Sequence, residues 1–258
     1  MSGPRVLYFD LETSPILCWT WGLFKQNIGI PQIVRDSHLL TWAAKWAGED
    51  AVMYDSLPAH DLYKKEPFND IHIVESMWHL LNEADIVIAQ NGDKFDVPKI
   101  NAAFFKHDLT PPSTYRTVDT LKIARGALRL TSNKLDWMAR FVGEAGKIKT
   151  DFDLWTGCIN GEKKAWDNMV KYNIKDVTIL EDVYTKLAPW SKAHPNHALY
   201  TDDNEMVCTT CGSNKLVRQG HAYTSLGKFQ QYQCKDCGKW LRSRKNVASR
   251  KNLLTNVI

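Results

Sequence analysis

Tyr8-Phe9-Asp10-Leu11-Glu12-Thr13 is the stretch on which the reading of this 258-residue chain turns. It reads as the end of a first β-strand over residues 5–11, and strand side chains alternate, so Asp10 and Glu12 point the same way. Two like charges held this close resist ionising together unless a divalent cation sits between them. The pair points to a metal site, against the plainer reading of a solvated strand end.

Two later segments carry acids in related settings. Asn91-Gly92-Asp93-Lys94-Phe95-Asp96-Val97-Pro98 follows Ile86-Val87-Ile88-Ala89, a short β-branched run that predicts a buried strand ending in a turn. Asp96 then starts the next helix. Tyr172-Asn173-Ile174-Lys175-Asp176 lies in a stretch of helical apolar spacing over residues 166–187, where Tyr172 and Asp176, four apart, share a face. Asp93 competes with Asp96, since it too follows the strand. Asp119 in Thr117-Val118-Asp119-Thr120 reads either as a further acid near the metal or as a helix cap before Leu121-Lys122-Ile123-Ala124.

Taken in order, Phe-Asp-x-Glu-Thr, Asn-Gly-x-x-Phe-Asp-x-Pro and Tyr-x-x-x-Asp resemble the DEDDy 3′-to-5′ exonucleases, a ribonuclease-H-like group that includes the proofreading domains of B-type DNA polymerases. The resemblance covers roughly residues 4–190, with Ser132-Asn133-Lys134-Leu135 and Phe141-Val142-Gly143 resembling the segment before the third motif. The sister DEDDh group carries a histidine five residues before the last aspartate, where this chain has Lys171. The tyrosine version is therefore the one implied, and Asp96 fits its pattern better than Asp93, being preceded by Phe95 and followed by Pro98.

By this resemblance Asp10, Glu12, Asp96, Tyr172 and Asp176 are the expected catalytic set. Asp10, Glu12 and Asp176 would hold the ion on the nucleophile side, Asp10 would bridge to a second, and Asp96 would bind largely through water. Hard carboxylate oxygens suit Mg²⁺ or Mn²⁺, and two such ions about 4 Å apart can serve an in-line displacement at phosphorus. Tyr172, with an ordinary pKa near ~10, is expected to position the attacking water rather than act as a full base. Thr13, Asn91 and Phe95 are expected to touch the substrate.

Toward the other end, Cys208-Thr209-Thr210-Cys211 and Cys234-Lys235-Asp236-Cys237-Gly238 are separated by 22 residues, which reads as a structural four-cysteine site for one Zn²⁺. A pair of redox dithiols or disulfides is the alternative. Strands are expected over residues 215–218 and 229–233, with Trp240 after the second knuckle, so the segment looks like a zinc ribbon. Residues 206–258 hold ten Lys or Arg against the single acid Asp236, a charge of +9, whereas residues 1–205 hold 23 basic and 28 acidic residues, a charge of −5. Four thiolates and a zinc ion would bring the ribbon and tail to about +7. Interleaved with Tyr223, Phe229, Tyr232 and Trp240, that charge suits phosphate neutralisation and base stacking, although these aromatics also serve as candidates for a small core.

The expected fold is α/β: a ribonuclease-H-like mixed five-stranded sheet flanked by helices over residues 1–195, a linker over 196–205, the zinc ribbon over 206–245 and a basic tail over 246–258. Strands are predicted over residues 16–23, with Leu17, Trp19, Trp21 and Leu23 on one face, and over 39–47 and 51–57 about the turn Gly48-Glu49-Asp50. Helices are predicted over 73–81 and 98–105, and the remainder to residue 189 reads as mostly helical. Trp42, Trp46, Trp78, Trp137 and Trp166 fall at core-like positions, while residues 24–36, with Lys25 and Arg35, read as a loop over the active cleft that contacts the nucleic-acid strand. Cys18 and Cys158 have no assigned role.

The expected activity is metal-dependent 3′-to-5′ hydrolysis of single-stranded nucleic acid, DNA favoured over RNA, in replication, recombination or repair. A structure-selective endonuclease or resolvase, or a non-catalytic module that binds nucleic acid or protein through the ribbon, are the alternatives, and a replication or recombination protein is a candidate partner. With no apolar stretch long enough to cross a bilayer and no signal peptide, a cytoplasmic protein of a bacterial cell, or of a phage in its host, is expected.

Overall fold

The computed structural model describes residues 3–202, 204–248 and 254. Of the tail expected over 246–258, residues 249–253 and 255–258 lie outside the described residues. The chain divides into two compact units, one of Arg5–Lys122 with Leu130–Val183, the other of Met1–Pro4, Ile123–Arg129 and Tyr184–Ile258.

The larger unit begins with β1 (Val6–Thr13), followed by a short ribbon of β2 (Leu17–Cys18) and β3 (Ile33–Arg35) and by the hairpin of β4 (Leu39–Trp46) and β5 (Met53–Ser56). Then come α1 (Ile71–Glu83), β6 (Ile86–Ala89), α2 (Asp96–Lys106) and β7 (Arg116–Asp119). Four helices follow along the chain, α3 (Thr120–Ala127), which falls mostly in the smaller unit, then α4 (Leu135–Phe141), α5 (Phe152–Ile159) and α6 (Lys163–Leu187), whose last turn also falls there. The strands form one five-stranded sheet in the order β5-β4-β1-β6-β7, with β4 antiparallel to β1 and to β5, and β6 parallel to β1 and to β7. This is the mixed sheet of a ribonuclease-H-like fold.

Burial explains the register. Leu7, Phe9 and Leu11 alternate along β1 into a core that also takes Ile73, Val74, Met77 and Leu81, the helically spaced face of α1, together with Trp166 and Met169 of α6. Each such side chain contributes about 1.5–3 kcal/mol on burial. A Phe9→Ala change would cost about 3–5 kcal/mol. All four residues of β6 are buried, which is why that strand reads as a continuous apolar run rather than an alternating one. Gly48, at φ 84°, turns the chain between β4 and β5 in a conformation that a side chain would strain.

Three expectations are corrected. Residues 16–23 do not make a strand with one buried face: Leu17 and Cys18 alone pair, with Arg35 and Ile33, and Trp19, Trp21 and Leu23 are exposed. Leu17 and Cys18 belong to a separate two-stranded ribbon with β3, the residues after them join no sheet, and the Thr20 hydroxyl turns the chain by donating to Gly22 O at 2.9 Å. β7 is a strand inside the stretch read as mostly helical; only Val118 among its four residues is both apolar and buried, too weak a pattern to read. Trp137 is exposed, unlike Trp42, Trp46 and Trp166.

In the smaller unit, β8 (Leu216–Thr224), β9 (Gly227–Cys234) and β10 (Trp240–Asn246) form an antiparallel sheet in the order β10-β9-β8. Among the described residues from 206 to 248, which make this sheet and its knuckles, no apolar side chain is buried apart from the cysteines Cys208 and Cys234. A sheet this small and this wet needs a staple. Residues before it share in holding it: His197 N donates to Thr209 O at 2.9 Å, and Lys239 Nζ donates to the carbonyls of Ser191 and Pro189.

Candidate active site

The end of β1 is where the sheet leaves room for chemistry. β6 pairs with β1 only from Val6 to Tyr8, so the strand runs on past its parallel neighbour, and the Leu11 amide that would have faced β6 donates instead to Asp96 Oδ1 at 3.1 Å. Asp96 stands in the first turn of α2, reached through the turn Asn91-Gly92-Asp93. Gly92 is required there, because a Cβ would lie 2.5 Å from that of Ala89. Asn91 adopts φ 64° and its carbonyl accepts from Lys94 and Phe95, which folds the motif back toward β1.

Asp10 and Glu12 project from the same side of β1, and α6 brings Asp176 to them. One carboxylate oxygen from each of the three comes within 4.8 Å of the others. Asp96 stands beside this trio rather than within it, yet close enough to repel Asp10. Asp93 turns away and pairs with Lys122 at 2.6 Å. Asp119 Oδ1 caps α3 through Leu121 N at 2.9 Å and also holds Asn91 N at 3.0 Å, while its Oδ2 is buried without a hydrogen-bond partner. Thr13 ends β1 at a shift in register and lines a cavity of about 250 Å³ with Ser37, His38 and Lys99. Phe95 is half-exposed before α2. Thr13, Asn91 and Phe95 are thus outside the carboxylate trio.

Electrostatics at the cluster are unfavourable without a cation. Burial, then Asp96, Glu12 and Asp176, push the Asp10 carboxyl well above its ordinary range. Burial and Asp176 raise Glu12 to about 8, and burial raises Asp96 to about 7. Asp176 is also raised by burial, although Lys147 and Tyr172 offset part of that. Its Oδ1 is buried and has no hydrogen-bond partner. Three converging carboxylate oxygens, together with an orphaned oxygen on Asp176, suit a hard divalent cation with several oxygen ligands. The residues present fit such an ion.

Three further residues at the site gave no sequence signal. Asn173 is fully buried and donates from Nδ2 to Asp10 Oδ2 at 2.8 Å and to Asp10 O at 3.2 Å. Lys147 comes from the irregular stretch between α4 and α5, anchored by its amide to Asp136 Oδ1 at 2.7 Å, and its ammonium pairs with Asp176. Burial lowers the Lys147 pKa, but Asp176, Asp10 and Tyr172 outweigh it and hold the group charged. Trp155 of α5 stands close enough to Glu12 to offset a little of the rise in its pKa, and it meets the Tyr172 ring edge-on, with centroids 6.1 Å apart. Tyr172 is nearly buried, and burial followed by Asp176 drives its hydroxyl pKa up. It keeps its proton at neutral pH.

The second cluster is in the smaller unit. The sulfurs of Cys208, Cys211, Cys234 and Cys237 lie within 4.8 Å of one another, Cys208 to Cys237 at 3.6 Å and Cys211 to Cys234 at 3.7 Å. A disulfide requires about 2.05 Å. Tetrahedral ligation with bonds of about 2.3 Å places sulfurs about 3.8 Å apart, so the four fit a structural Zn²⁺. Gly212 and Gly238, each one residue past a knuckle, take φ values of 73° and 79°, which closes each Cys-x-x-Cys turn. The cluster is compatible with a zinc ribbon.

A mixed five-stranded sheet with acids at the end of its first strand defines a ribonuclease-H-like protein. The chain belongs to the RNase_H superfamily, whose family model matches residues 7–188. It is similar in fold to the family B DNA polymerase of the hyperthermophilic archaeon Pyrobaculum calidifontis, with a TM-score of 0.55, 14% identity and 72% of this chain against 25% of the polymerase. A short segment is 37% identical over 59 residues, 17% of this chain and 15% of the other, to an uncharacterized 48.3 kDa protein of insertion element ISM1 from Methanobrevibacter smithii. The chain therefore matches only a small part of the length of that relative. Among the described residues, no helix is long and apolar enough to cross a membrane.

Proposed function

We propose that the protein is a metal-dependent 3′-to-5′ exonuclease of the DEDDy type that hydrolyses single-stranded nucleic acid, DNA in preference to RNA, in replication, recombination or repair. The observation that carries this reading is the convergence of Asp10, Glu12 and Asp176, with Tyr172 one helical turn before Asp176 on α6 and its hydroxyl 3.5 Å from Lys147 Nζ. Superfamily membership supports a nuclease, and the polymerase likeness supports the fold on which this group is built.

Asp10, Glu12 and Asp176 would hold Mg²⁺ or Mn²⁺, with Asp96 beside them. When bound, the ions stabilise the charge on the phosphate and lower the pKa of a water. The chain's own residues do the rest. Asn173 fixes the rotamer of Asp10, and Trp155 stands beside Glu12. The protonated Tyr172 hydroxyl donates a hydrogen bond that orients a water, and Lys147 offsets part of the carboxylate charge. In the smaller unit a structural Zn²⁺ on the four cysteines would present Arg218, Arg242 and Arg244 to the phosphates.

A degradation assay with 5′-labelled and 3′-labelled single strands of DNA and RNA tests the reading. The expected result is a 3′-end ladder that requires Mg²⁺ or Mn²⁺ and is lost with EDTA and with Asp10→Ala or Asp176→Ala. Initial cuts at internal positions would favour the endonuclease alternative.

A further inference from the structure

The segment between β1 and β4 carries large apolar side chains that are exposed. It leaves the sheet after Thr13, pairs briefly as β2 with β3, and between them projects as an arm. Gln32 braces the arm from inside: its Oε1 accepts from Gly29 N at 2.8 Å and its Nε2 donates to Trp19 O at 3.0 Å, while Trp19 N donates to Gln32 O at 2.9 Å. On this frame Trp19 is 75% exposed, Trp21 99% and Phe24 83%. Leaving three aromatic rings in water is unfavourable by their full burial energy, so the arm is built to be covered by something.

Its charge selects what. From Ser14 to Arg35 the sequence holds no Asp or Glu, and its only charged side chains are Lys25 and Arg35. Lys25 sits exposed at φ 51°, an uncommon conformation for a side-chain-bearing residue, beside Phe24. Arg35, at the root, lies over the Phe68 ring at 3.5 Å. Aromatic faces with interspersed cations and no acid match a polyanion whose monomers carry flat rings. Position agrees: Leu17, where the arm starts, is five residues past Glu12, so its root is within about 18 Å of the carboxylates, roughly three nucleotides of extended strand.

We infer that the arm is a stacking platform for single-stranded nucleic acid, on which bases upstream of the reacting 3′ end lie against Trp19, Trp21 and Phe24 while Lys25 meets the backbone. The direction of the strand rests on the exonuclease reading, whereas the binding does not. Because the rings are exposed, replacing them leaves the core intact. Stacking is also insensitive to salt, which separates this site from one made only of cations.

The test compares the 258-residue chain with its Trp19→Ala/Trp21→Ala/Phe24→Ala variant, binding a 5′-fluorescein 16-mer of thymidylate by anisotropy in EDTA, across a salt series. The expected result is an affinity weakened at least tenfold, on the order of a single stacked base, with an unchanged salt slope and an unchanged melting temperature. Crosslinking of a 5-iodouracil strand to the peptide that contains Trp19 and Trp21 would support the platform independently. Unchanged affinity would overturn it, and if that came with a shift in oligomeric state the arm would be a contact between copies of this chain. Loss of affinity in a protein that produces no 3′ ladder would leave the platform standing and remove the exonuclease reading instead.

Discussion

Asn173 Nδ2 donates to Asp10 Oδ2 at 2.8 Å, so the residue next to Tyr172 on α6 sets the orientation of the first carboxylate on β1. Asn173 Oδ1 in turn accepts weakly from Thr41 of β4 at 3.4 Å. One amide thereby links three elements to the metal-binding edge. Asn173→Ala should lower metal affinity or turnover by about 10–100-fold, the usual consequence of removing a partner that orients a ligand. It should also cost about 1–3 kcal/mol of stability by leaving buried polar groups unpaired. Turnover and Mg²⁺ titration measure the first effect and thermal melts the second. Wild-type turnover would show that Asp10 needs no such support.

Glu12 couples the site to stability through its proton. Its pKa is raised from 4.5 to about 8, mainly by burial and then by Asp176, so the folded protein without metal binds more protons than the unfolded chain between those values. Stability from this group is present below about pH 4.5 and is lost as pH rises to about 8. Glu12→Gln removes the penalty. In EDTA its melting temperature should exceed that of the wild type by an amount that grows from pH 5 to pH 8, each kcal/mol appearing as about 2–4 °C. The same substitution should abolish most activity. A melting-temperature difference independent of pH would contradict the assignment.

Tyr172→Phe keeps the ring against Trp155 and deletes one hydroxyl. A water-orienting role predicts turnover reduced about 10²-fold, with strand binding and melting temperature nearly unchanged. A ring that serves only packing would leave the kinetics untouched.

Lys147→Met should destabilise the protein more in EDTA than in Mg²⁺, because without metal its ammonium offsets the charge of Asp176 and Asp10. The pair is partly open to solvent, so the loss should fall short of the about 3–5 kcal/mol of a fully buried pair. Parallel melts with and without the ion make the comparison. Equal losses in both would mean that Lys147 acts through packing alone.

For the smaller unit, elemental analysis should find one Zn²⁺ per chain, and Cys234→Ser should release it. Arg242→Gln/Arg244→Gln should weaken strand binding and flatten its salt dependence by roughly 0.7 in slope for each phosphate that is no longer neutralised. Arg242 lies 4.2 Å above the Phe229 ring, so part of its effect will come from packing. An unchanged slope would direct attention to a protein partner for this surface.

The sequence by itself determined the strand that carries Asp10 and Glu12, the β6 run, the apolar face of α1 and the four-cysteine spacing. Each is a local pattern whose period or spacing has one physical meaning: alternation, continuous burial, 3.6-residue recurrence, knuckle turns. Tertiary structure alone decided which side chains meet. Asn173 and Lys147 reach the cluster because α6 packs across β1 and because the irregular chain near Lys147 is tied to Asp136, and neither contact leaves a trace in local spacing. β7 and the arm escape a local reading for the same reason. A strand is completed by its neighbours, so the weakly patterned residues of β7 are recruited beside β6, while the alternating residues 16–23, with no sheet to join beyond the brief pairing with β3, remain in water.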